Sequence, residues 1–93
     1  MTIEELRNKP EGVIETGYII MRDGVELKLD YYLGKGFDIT GKPKYFIGFS
    51  PYGNYCSHKL SEKDFLAQVN NPQLARLEAV RIYMESPHLS ADL

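Results

Sequence analysis

The sequence predicts one small α+β domain: a three-stranded antiparallel sheet, a short N-terminal helix and two C-terminal helices. Three observations carry this. Two amphipathic runs flank Asp23-Gly24, a pair of residues that favours a tight hairpin turn. A third apolar run, Lys44 to Phe49, follows a glycine- and lysine-rich stretch. Two capping signals, at Ser61 and at Asn71-Pro72, introduce helical spacing in the last third. The 93 residues form one domain, with a short helix over 1–9, the sheet over 13–50, helix over 61–85 broken near Pro72, and a loose tail over 87–93.

The elements follow in chain order. Thr2 and Glu5 have the T-x-x-E spacing of a capping box, so a helix begins there and ends near Asn8, before Pro10. So short a helix cannot stand alone and must dock. Val13 to Met21 and Val25 to Leu33 are the hairpin strands. A two-residue turn at Asp23-Gly24 would set Ile20 opposite Leu27, Tyr18 opposite Leu29 and Thr16 opposite Tyr31. That face is expected to be core. The other would hold Glu15, Gly17, Ile19 and Met21 against Tyr32, Asp30, Lys28 and Glu26. Gly34 to Pro43 reads as a loop, and Ser50 to Asn54 as a turn cluster. In the third strand Tyr45, Ile47 and Phe49 share one face and Phe46 and Gly48 the other, so one set is core. Leu60 and Phe65 staple a helix from Glu62 to Val69; Leu74, Leu77, Val80 or Arg81, and Met84 mark the next.

Composition is that of a globular protein, with 43% hydrophobic and 26% charged residues. The net charge of −2 argues against a strongly basic nucleic-acid binder. The charge is uneven. Residues 34–63 carry five basic and two acidic side chains, whereas both flanking thirds are acidic. A single cysteine, Cys56, permits no internal disulfide. The opening residues Met1 to Glu5 lack the pattern of a secretory leader, and the expected compartment is cytoplasmic.

Motifs that suggest catalysis fail on chemistry. Gly36 to Lys42 fits G-x-x-x-x-G-K, but Pro43 stands where a P-loop needs Ser or Thr, and a strand rather than a helix is expected next. Met21 to Leu27 resembles the opening hairpin of some α/β-hydrolase-type acyl peptidases and esterases. The chain is far too short for that fold, and Ser50 is followed by Pro51, which has no N–H for an oxyanion hole. Cys56 and His58 could share a face in extended chain, but no third partner is evident in the sequence. No catalytic residue, metal site or cofactor is expected.

What remains is a surface. The leading expectation is a non-enzymatic module, a small regulator or inhibitor acting by protein–protein contact, of the kind phages and mobile elements direct at host enzymes. Its contact residues are expected to be Ile19, Met21, Lys28 and Tyr32 on the second hairpin face, with Lys42, Lys44, Tyr52 and Tyr55 beyond it. The alternative is nucleic-acid binding through the basic, aromatic-rich segment 35–63. A sheet of three strands also has two edges, which makes a homodimer through an edge an expected option.

Overall fold

The structure, a computed structural model, describes residues 1–23, 25–50 and 53–85; for 21–23, 25–27, 50 and 53–56 only the backbone is described. Along the chain come α1 (Ile3–Asn8), β1 (Gly12–Asp23), β2 (Val25–Phe37), β3 (Pro43–Ser50), β4 (Gly53–Leu60), α2 (Glu62–Asn70) and α3 (Pro72–Glu85). The strands form one antiparallel meander in the order β1-β2-β3-β4. The sheet therefore has four strands, not three. The extra strand follows the Ser50–Asn54 turn cluster, and its sequence, GNYCSHKL, has no apolar alternation. It becomes a strand because β3 offers it a ladder: Tyr45 pairs with Leu60, Phe46 with Lys59 and Ile47 with His58.

The expected Gly34–Pro43 loop is shorter than the sequence suggests. β2 runs on to Phe37, and the Asp38 carboxylate closes the turn by accepting from the Thr40 N–H (2.9 Å), the Thr40 hydroxyl (2.6 Å) and the Lys42 N–H (2.9 Å). Gly41 takes the left-handed conformation there (φ 84°). The G-x-x-x-x-G-K stretch is thus a hairpin tip joining two strands, with no helix to cradle phosphate.

The hairpin register differs by one residue from the two-residue turn. Ile20 pairs with Lys28, Tyr18 with Asp30, Gly17 with Tyr31 and Thr16 with Tyr32. Gly24 itself lies outside the described residues. A one-residue slip turns every β1 side chain to the opposite face. The reason lies in the packing: Leu29, Tyr31 and Leu33 of β2 are buried, and the Tyr31 ring occupies the space where a side chain at Gly17 would stand. In the expected register Thr16 would face Tyr31 instead. The slip carries Ile19 into the core, 4% exposed, and leaves Tyr18 and Ile20 outside. Ile19 is thus a core residue and not part of an exposed contact surface. An irregularity between Val13 and Glu15 adds one residue to β1, and Ile14 packs against the core.

All three helices cover one face, the inner face. Ile19, Leu29, Tyr31, Leu33, Tyr45, Ile47 and Phe49 from the sheet meet Leu6, Phe65, Ala75, Ala79 and Ile82 from the helices. Removing these side chains from water supplies the main stabilisation, at about 25 cal/mol per Å² of apolar area. In α3 the buried stripe is Ala75, Ala79 and Ile82, whereas Leu74, Leu77 and Met84 face outward. The alanines let the helix axis lie close to the sheet. The predicted caps form: Thr2 and Glu5 exchange both capping-box bonds (3.2 Å each), and the Ser61 hydroxyl accepts from the Asp64 N–H (3.1 Å).

Lys35 has the opposite environment to the one expected of a lysine in a basic loop. It is 1% exposed. Its ammonium donates to the carbonyls of Leu6 (2.8 Å), Arg7 (2.9 Å) and Lys9 (2.8 Å), and lies 5.3 Å from the Phe37 ring centre. All three donors of a lysine are used. Nearby, Arg7 pairs with Glu62 (2.8 Å), and the Tyr45 hydroxyl donates to the same carboxylate (3.2 Å). Arg7 and Tyr45 together hold the Glu62 carboxyl below its ordinary value. At Tyr45, burial and then the hydrogen bond to Glu62 push the hydroxyl up.

Replacing Lys35 with Met keeps the apolar stem but strips donors from three carbonyls. The expected loss is about 3 kcal/mol in urea unfolding, with the N-terminal residues losing hydrogen-exchange protection first. Acid should act separately. The carboxyls of Glu62, Glu5 and Asp38 are depressed in the folded state by hydrogen bonds, led by Arg7, the Thr2 backbone and Thr40 respectively. A depressed folded value means stability that is complete above the unfolded pKa and lost as pH falls through the folded one. The urea midpoint should therefore fall between neutral pH and about pH 3, and Glu62→Gln should flatten part of that slope.

Candidate binding surface

The other face of the sheet, the open face, is covered by no element among the described residues. Its centre is built by a reciprocal arrangement in β2 and β3: Tyr32 pairs with Gly48, and Gly34 with Phe46. Each aromatic therefore has a glycine across the ladder, and each ring lies over it. A side-chain carbon at Gly34 would come within 2.6 Å of Phe46 Cε2, and one at Gly48 within 2.5 Å of the Tyr32 hydroxyl oxygen. The rings meet edge to face, with centres 6.1 Å apart and planes at 87°. Both side chains are half-buried, laid against the sheet instead of standing out from it.

Cations surround this pair. Lys44 and Lys59 are exposed on the same face, and with Val13, Phe37 and Ser57 they border a broad concavity of about 830 Å³ over the glycines. Towards the hairpin tip lie Tyr18 and Ile20, 47% and 43% exposed, and Lys28, whose ammonium sits 4.8 Å from the Tyr18 ring centre. Asp30, opposite Tyr18, is the exposed carboxylate within this array.

Of the residues expected to form a contact surface, Lys28, Tyr32 and Lys44 come together here. Ile19 points the other way, into the core. Lys42 is exposed in the β2–β3 turn, where its N–H is held by Asp38. Tyr52 lies outside the described residues, and the side chains of Met21 and Tyr55 are not among those described. Tyr18, Ile20, Phe46 and Lys59 join the surface. Parity set Phe46 on the face opposite Tyr45, Ile47 and Phe49, and the burial of those three is what turns it outward. Tyr18 and Ile20 were hidden by the register.

The Cys56 side chain is not among those described. His58 is an exposed residue of β4 opposite Ile47. Among the described residues no group of three His, Cys, Asp or Glu side chains could hold a metal ion. Nor is any described helix long and apolar enough to cross a membrane. Comparison with protein-family models, with curated protein sequences and with solved structures finds no match to this chain.

The glycine–aromatic fit is directly testable. A valine at Gly34 must displace the Phe46 ring, a change expected to cost about 1–3 kcal/mol. Gly34→Val combined with Phe46→Ala should recover part of that loss in urea unfolding, because the ring that clashes is gone.

Proposed function

We propose that the protein is a non-enzymatic binding module, a small regulator or inhibitor that docks the open face of its sheet on a protein partner. The observation that carries this reading is the uncovered Tyr32–Phe46 pair, seated over glycines and bordered by Lys44 and Lys59, with Lys28 beside Tyr18 farther along the same face. Aromatic side chains with a polar rim are the composition of a contact patch. They are also held in place before binding, which lowers the entropy lost on association. The four strands total 41 residues. At about 3.3 Å per residue and 4.8 Å between strands they present roughly 650 Å² of sheet. That is close to the roughly 800 Å² per partner of a standard interface. The lysines call for an acidic border on the partner. The cytoplasm is the expected place of action.

A second reading, single-stranded nucleic acid, is favoured by Lys44 and Lys59 standing beside exposed ring surface, since phosphates follow cations and bases stack on aromatics.

The test uses the full chain as bait in extracts of its native cell. A stoichiometric protein partner should be captured by the wild type and by Lys63→Glu on α2, and lost with Phe46→Ala or with Lys44→Glu combined with Lys59→Glu. Binding should then be reproduced with the purified partner, each open-face change weakening it at least about tenfold. Capture insensitive to the open-face changes refutes the proposal. In parallel, a labelled single-stranded oligonucleotide is titrated at two salt concentrations. Affinity that falls steeply with salt and with Lys44→Glu would move the assignment to nucleic acid. No binding at micromolar protein would end that second reading.

A further inference from the structure

β1 is an edge strand of 12 residues, GVIETGYIIMRD, with neither proline nor lysine; what guards it is the irregularity between Val13 and Glu15 and the charge of Glu15. Its outer side offers a row of backbone donors and acceptors to an extended chain. Midway along it is a notch. Gly17 has no side chain, the Tyr31 hydroxyl fills the space beside it, and Arg76 of α3 borders the same hollow. Glu15 lies two residues along the strand. Burial pushes the Tyr31 hydroxyl up; the adjacent Arg76 opposes this and Glu15 adds to it, so both ions act on the notch. Yet among the described residues neither Arg76 nor Glu15 makes an ion pair.

An unpaired cation and an unpaired anion on one edge can complement each other across a two-fold axis. We propose that the occupant of this edge is a second copy of the chain, paired antiparallel through β1 with Thr16 on the axis. In that register Glu15 of each copy stands opposite Gly17 of the other, where its carboxylate meets Arg76 and the Tyr31 hydroxyl, and this happens twice. Regular pairing spans Glu15 to Gly17, and on either side of it the extra β1 residue between Val13 and Glu15 is carried as a bulge. The axis is perpendicular to the sheet, so both α3 helices lie on the same side of it. The side of α3 that carries Arg76 also carries half-buried Val80, and Leu77, 67% exposed, is next to it. These apolar side chains then face their counterparts across the axis, and the two four-stranded sheets become one sheet of eight strands.

This inference concerns a different surface from the open face and fails or stands separately. Sedimentation velocity on the full chain should give a particle of twice the 10.6 kDa chain mass at tens of micromolar. Arg76→Glu and Glu15→Arg should each weaken association by about tenfold or more, while circular dichroism stays unchanged because both residues are exposed. The two changes together should restore association to within about threefold of the wild type. Phe46→Ala should leave it unaltered. A wild-type chain that is monomeric at about 100 μM, a dimer indifferent to both single changes, or a double variant that fails to recover would each overturn the proposal.

Discussion

The contact on which this fold rests is the buried ammonium of Lys35. A helix of six residues has too few internal hydrogen bonds to offset its nucleation cost, so α1 exists only because something holds it. Lys35 does so from within β2, donating to three carbonyls at and just beyond the end of α1. A positive charge there also favours the negative end of the helix dipole. The arrangement works in both directions. The carbonyls give a buried cation the hydrogen bonds without which burial would be prohibitive. The cation in turn sets Leu6 against the core, fully buried. Arg7 then reaches Glu62, and Glu62 accepts from Tyr45, so α1, α2 and β3 are joined around one corner of the molecule.

Glycine and aromatic residues solve the same packing problem on both faces of the sheet, with different results. On the inner face Tyr31 lies over Gly17, with Arg76 of α3 beside them at the sheet edge. On the open face Phe46 lies over Gly34 and Tyr32 over Gly48, and nothing among the described residues seals them. The ring-over-backbone contact fixes each side chain without a covering layer. A face can therefore be apolar at its centre, ordered, and still available. The lysines around it give the open face a positive character, although the whole chain carries −2. Local charge, not net charge, is what an approaching partner meets within a Debye length.

Much of the architecture was legible in the residues alone. The capping pairs Thr2–Glu5 and Ser61–Asp64 begin helices where their spacing says they should. Such signals are local, since donor and acceptor lie within four residues. The alternation in β2 likewise marked Leu29 and Tyr31 as inward, and the third strand divided correctly into two faces. The surface was less legible. Lys28, Tyr32 and Lys44 were identified as members, but Ile19 was assigned to the wrong side and Lys35 to the wrong environment. Both errors share a cause. A side chain's face depends on which strand lies opposite and in what register, and that is not a property of neighbours in sequence.

The sequence by itself determined the three helices and the first three strands, the positions of the caps at Thr2 and Ser61 and the alternation of those strands between two faces, because these follow from short-range hydrogen bonding and the two-residue repeat of extended chain. Only the tertiary structure decided the rest. It selected the register in which Tyr31 finds the empty space at Gly17. It made a fourth strand of a segment with no alternation of its own, because β3 offered an unpaired edge. It also drew Lys35 out of an apparently basic loop and into the place where the carbonyls of Leu6, Arg7 and Lys9 converge. In each case the deciding partner lies far along the chain, and the outcome follows from packing and hydrogen-bond satisfaction rather than from local preference.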